Sequence, residues 1–321
     1  MLSVIWFVFV VCVSLILLIG LHEFGHYAVA RFFSVPVERC VISPLGGFIL
    51  LKKGFVFESL PLFKRGCIVL AGPLFNLIFA FLAYYMVFIV GIVQMSPVIG
   101  KVLPHSLAAS AGISSGSEIL SVDQVKTPTW PAVAFKVLPY LGRSGVLQIK
   151  TNFGEFNIIL NNFKLDPVKP NLLSSIGVIP QKNSKMFLRK FSVLGSASES
   201  LRELWLYLNV NGIVIGKMLM GDISIRSLAG PLGLLSGSFF AAKQGFIVYM
   251  AFLGFVSVSL AFVNLLPIPG LDGAQLIYLV IELFRGKPLS VALQMLLLRL
   301  GIILLTVLMI QSLMNDLLRL L

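Results

Sequence analysis

Residues 1–26 read MLSVIWFVFVVCVSLILLIGLHEFGH: twenty-one positions without a charged side chain, then two histidines and a glutamate within five. About 20 apolar residues suffice for a helix to cross the ~30 Å hydrocarbon core. Only helices and closed barrels satisfy their backbone there, so this run reads as a membrane helix carrying ionisable groups at its end. It lacks a basic start and is too long for a cleaved signal peptide, which is therefore not expected. The whole chain agrees. Of 321 residues 58% are hydrophobic and 12% charged, and the mean hydropathy is +0.98, as in an integral membrane protein.

Further apolar segments run from about Gly66 to Met95, Gly245 to Leu271 and Ala292 to Leu313, giving four transmembrane helices. The net charge of +12 comes without a basic stripe interleaved with aromatics or any nucleic-acid module, so cationic loops explain it and no nucleic acid is expected. Arg31, Arg39, Lys52, Lys53, Lys64 and Arg65 crowd the first connection; Arg285, Lys287 and Arg299 surround the last. By the positive-inside rule both connections are cytoplasmic and the long central segment is extracytoplasmic. Cys12, Cys40 and Cys67 form no Cys-x-x-Cys pair and indicate neither disulfides nor a thiolate metal site.

Four stretches follow: 1–95 with the first two spans and a β-like loop, 96–182, 183–244 read as interfacial helices and linker, and 245–321 with the last two spans. In the second, VIGKVL and EILSVDQV read as strands, SLAAS as a short helix, and VLQIKT-NFGE-FNIIL as a hairpin. This order, with HSLAASAGI preceding a Gly-containing turn, resembles a PDZ domain. The fold expected is thus a mainly α-helical polytopic membrane protein with an inserted β-rich, PDZ-like extracytoplasmic domain.

On a helix, positions i and i+4 share a face, so His22 and His26 aim at one ion while Glu23 reaches a water beside it. Two imidazoles, a carboxylate and a water suit Zn²⁺, one per chain, with Glu23 as the base. The third ligand has few candidates. His105 lies in the central segment. Asp272 follows the uncharged third span in FVNLLPIPGLDG, at the end where the first span also leaves the membrane. Glu282 competes but reads as an interfacial charge two to three turns farther on. Pro267, Pro269 and Gly270 break the third span, freeing backbone groups that require a cavity or a partner. Asn264 reads equally as a contact for a substrate main chain and as a helix-to-helix hydrogen bond.

HEFGH, AGPLFN at residues 71–76, the PDZ-like segment and NLLPIPGLDG at residues 264–273 together resemble the site-2 protease family of intramembrane zinc metalloproteases, in its bacterial regulator-of-sigma-E protease branch. The resemblance implies cleavage of single-span membrane proteins, anti-sigma-factor-like or signal-peptide remnants, in the bilayer of a bacterial inner membrane, with the active site toward the cytoplasm. It implies His22, His26 and Asp272 as zinc ligands, Glu23 as catalytic base and Asn264 as a substrate contact. Gly46 and Gly47, in PLGGF, resemble the family's membrane-associated β element and would bind substrate as well. Asn76 is expected to pack the core. Only one PDZ-like unit fits, where enteric relatives carry two in tandem. A metal transporter would show polar residues on several spans and an internal repeat, neither of which is present. A proteolytically silent PDZ scaffold would have no use for Glu23 between two histidines.

Overall fold

The computed structural model describes residues 2–43, 46–51, 57–165, 171–182, 184–224 and 230–320. The chain forms two compact units: Met1–Val90 with Phe191–Leu208 and Ala229–Leu321, and Gly91–Lys190 with Asn209–Leu228.

The first unit begins with α1 (Leu2–Phe32), which Ser34, at φ 59°, terminates. A two-stranded antiparallel ribbon follows, β1 (Val37–Ser43) and β2 (Gly46–Leu51), packed along α1. Next comes α2 (Leu62–Val90). Helices gain little by hiding apolar surface from equally apolar lipid, so close approach through small residues holds them. At Gly25 an added Cβ would lie 2.5 Å from the Ala71 carbonyl oxygen and 2.9 Å from Phe75. That explains the glycine within HEFGH: α1 and α2 meet backbone to backbone there, with the Phe75 ring alongside. The second span was read through Met95, but α2 ends at Val90 because Gly91 takes φ 99°, and the β-branched pair beyond it enters a strand.

The second unit opens with that strand, β3 (Ile92–Met95), then β4 (Ile99–Val102), α3 (Leu107–Ser110), β5 (Ile119–Val122), β6 (Val125–Lys126), α4 (Trp130–Val137), β7 (Gly145–Thr151), β8 (Gly154–Leu160), α5 (Leu172–Ile176), β9 (Val178–Pro180) and β10 (Met186–Arg189). One sheet has the order β6-β5-β7-β8, and two ribbons pair β4 with β9 and β3 with β10. EILSVDQV, read as one strand, is a hairpin. Asp123 and Gln124 both have positive φ, 48° and 63°, the geometry of a tight turn whose twist matches that of its strands. Period-two alternation sends Leu147, Ile149, Ile158 and Leu160 into a core with Ile99, Ile119, Val122 and Val133, each at most 1% exposed. Each large aliphatic so buried stabilises the unit by roughly 1.5–3 kcal/mol.

The chain returns through α6 (Val193–Leu219), the first helix of the stretch 183–244; it belongs to the first unit up to Leu208. There Tyr207 stacks on Tyr84 of α2 and meets Phe255 edge-on. Its last turns reach the second unit, where buried Lys217 donates to the Leu141 carbonyl and pairs with Asp222. Then come α7 (Pro231–Lys243), α8 (Phe246–Asn264), α9 (Asp272–Arg285) and α10 (Val291–Leu320). Ser238 of α7 shares a hydrogen bond with Ser14 of α1, which also bonds Tyr249 of α8, so α7 is held among these helices by hydroxyls. The N-terminal amides of α7, Gly230 and Gly233, donate to the Asp316 carboxylate of α10, a capping arrangement. Among the described residues four helices are long and apolar enough to cross a membrane: Trp6–Phe32, Leu62–Val90, Phe246–Asn264 and Val291–Leu318.

Candidate metal centre

α1 carries His22 and His26 one turn apart, both rings turned toward α2. The third span breaks as its prolines require: α8 stops at Asn264, Gly270 takes φ 99°, and a new helix begins at Asp272. Asp272 therefore opens α9, where a carboxylate also suits the positive end of the helix dipole. Gly273 is needed beside it, because a Cβ there would run into the Leu265 and Leu266 carbonyls of the turn.

These elements bring three ligand atoms together. The Asp272 Oδ2 lies 3.1 Å from His22 Nε2 and 3.5 Å from His26 Nε2, and the two Nε2 atoms are 3.2 Å apart. The carboxylate oxygen is buried and, among the described residues, has no hydrogen-bond partner. Ligands held at 2.0–2.1 Å around a tetrahedral ion stand about 3.3 Å from one another, so the cluster has the spacing of one face of a zinc tetrahedron. Two imidazoles and a carboxylate are also the donor set of an open catalytic zinc site. Among the described residues this is the one group of three or more His, Cys, Asp or Glu side chains placed to hold a metal.

The surroundings fix the rings. His26 Nδ1 stands 2.7 Å from the Ile68 carbonyl, which makes it the protonated nitrogen and leaves Nε2 for the ion. His22 Nδ1 faces two asparagines, with Asn76 Nδ2 at 3.3 Å and Asn264 Nδ2 at 3.5 Å. Gly72 leaves the room: a Cβ would strike His26 Nε2 and come within 2.7 Å of His22 Cε1. Glu23 is on the same turn and 6% exposed.

Asn264 thus adjoins the cluster. Gly46 and Gly47 stand at the start of β2, opposite Ser43 and Ile42, outside it; Pro44 and Leu45 of the same motif lie outside the described residues. His105 belongs to the second unit. Glu282, read from sequence as an interfacial charge, is instead paired: Arg65 of α2, 5% exposed, donates from both terminal nitrogens to its two oxygens and from Nε to the Leu60 carbonyl. Asn76, expected only to pack the core, reaches the His22 ring. Neither contact is visible in sequence, since the partners are 54 and 217 residues away.

The chain matches the model of a family described as Peptidase family M50 over residues 10–308. It is 26% identical to "Protease RseP" of Yersinia pestis and to "Regulator of sigma-E protease RseP" of Escherichia coli K12, in each case with all of both chains covered. To a "Regulator of sigma E protease" of Haemophilus influenzae it is 23% identical, covering 99% of this chain and 100% of the relative. The first alignment extends over 451 positions against the 321 residues here, so that relative has more than about a hundred residues with no counterpart in this chain.

Proposed function

This chain belongs to peptidase family M50, and from that membership we propose how its residues perform zinc-dependent hydrolysis of a peptide bond within a membrane. The observation that carries the reading is the convergence of His22, His26 and Asp272 at zinc-ligand spacing beside a buried Glu23. These three residues hold the metal. Zinc, when bound, supplies Lewis acidity that polarises a peptide carbonyl and acidifies water.

The rest is the work of the chain. Glu23 accepts a proton from the attacking water and returns it to the amide nitrogen as the C–N bond breaks. Asn264, at the end of α8, holds the substrate main chain. A helical substrate hides its carbonyls in its own hydrogen bonds, so it must be drawn out into a strand. The β1–β2 ribbon supports that step: among the described residues β2 pairs only with β1, so Gly46 and Gly47 begin a strand with one edge open for addition of another. The substrates are single-span membrane proteins, including a regulator of the anti-sigma-factor kind, by analogy with relatives named for sigma-E. Signal-peptide remnants suit the same chemistry.

The second unit is a PDZ-like recognition module on the extracytoplasmic side, single where the longer relatives have additional chain, and the catalytic centre lies toward the cytoplasm of a bacterial inner membrane. Its small antiparallel sheet with short helices supports this reading.

Co-expression of a tagged single-span substrate with Glu23→Gln tests the enzyme. Cleavage falls by about 10²–10⁴-fold while zinc is retained; equal cleavage by variant and parent overturns the assignment. Zinc content untouched by His22→Ala or Asp272→Ala would sink the ligand set.

A further inference from the structure

We infer that Asn76 is a positioning residue for the metal centre: its side-chain oxygen accepts the Nδ1 proton of His22 and so locks the ring with Nε2 turned to the ion. The inference rests on the ligand set proposed above. A neutral imidazole that ligates through one nitrogen carries its proton on the other, and that proton needs an acceptor. His26 has one in the Ile68 carbonyl. His22 Nδ1 meets two side-chain amides instead, those of Asn76 and Asn264.

Asn76 is fully buried, and among the described residues its Oδ1 is without a hydrogen-bond partner while its Nδ2 faces His22. Amide oxygen and nitrogen are assigned from hydrogen bonding because their shapes are alike, and turning this amide over puts the acceptor on the Nδ1 proton. Only one acceptor is needed there. With Asn76 in that role, the half-buried Asn264 is released to meet substrate. Asn76 is itself held: Ser257 of α8 donates to its backbone carbonyl at 2.8 Å.

The test is zinc affinity of the detergent-purified full chain, by competition with a chromophoric chelator. Asn76→Leu, alike in branching but without an acceptor, weakens zinc binding about 10–100-fold. Asn76→Asp keeps the acceptor and holds zinc within a few-fold of the parent. Ser14→Ala removes the hydroxyl bond between α1 and α7, about two turns before His22, and leaves zinc affinity unchanged. If Asn76→Leu is not recovered folded, Asn76→Ala takes its place. Parental affinity in the acceptor-free variant, or equal losses in Asn76→Asp and Asn76→Leu, overturns the inference. Should His22→Ala also bind zinc like the parent, the ligand set itself fails, a separate outcome.

Discussion

At the residue scale, the approach of α2 to the HExxH face of α1 turns on the absence of one carbon atom. Gly72 stands where a methyl would strike His26 Nε2, so α2 approaches the ligand face of α1 closely enough to shield it, yet leaves the nitrogens free. Gly72→Ala should therefore act on the metal more than on the fold. Overpacking of this kind costs about 1–3 kcal/mol, and here the yielding group is the His26 ring, whose direction is set by the Ile68 carbonyl. The expected result is weaker zinc binding in chelator competition, with helical circular dichroism preserved. Zinc binding at the parental level would show that the rings shift without consequence. The histidines, Glu23 and Asp272 could be singled out from sequence because ionisable groups in apolar segments are expensive. Gly72 and Asn76 could not, since a glycine and an asparagine in a span declare nothing until the ring they touch is known.

At the scale of elements, α9 is the least self-evident part, because it must deliver Asp272 to α1 after a broken turn. Proline chemistry made the break readable in advance, and the structure puts the helix end at Asn264. The tie that holds α9 to α2 was not readable. Glu282 looked like one more charge beside Arg285, whereas Arg65 grips it through two nitrogens in a mostly buried setting. A buried pair is costly to make and costlier to halve: removing one partner leaves the other charge unsatisfied, at about 3–5 kcal/mol. Glu282→Gln should thus lower resistance to unfolding in detergent by that order and loosen Asp272 with it. Replacing both residues by methionine should recover most of the loss, as apolar substitutes of similar volume do. A double variant as unstable as the single one would mean that the pair matters through shape and not through charge. Local strand errors had a different cause. EILSVDQV alternates well enough for one strand, and only the positive φ of Asp123 and Gln124 turns it into two.

At the scale of the molecule, the two units follow different physics, and this decides what each can be asked. The second has a water-excluding core of Ile, Leu and Val at close to zero exposure. The first exposes Leu296, Leu300, Ile303 and Val307 along α10, each more than half uncovered, which suits hydrocarbon and not water. Such a helix bundle acquires its orientation from its loops. Six basic residues in the first connection, against Glu38 and Glu58, predict that this connection faces the cytoplasm and that Asn152 in the β7–β8 turn faces outward. Single cysteines at Ser59 and Asn152, both exposed, in a variant with Cys12, Cys40 and Cys67 replaced by alanine, test this with an impermeant maleimide. In intact spheroplasts only the cysteine at 152 should react, and the one at 59 should react only after lysis. The reverse pattern would put the HEFGH end of α1 on the outer side, where the prediction of a centre near the cytoplasm fails even with every ligand in place. Sidedness is in this sense independent of the metal geometry: distances among His22, His26 and Asp272 are the same whichever way the bundle is inserted, and only the loop charges choose.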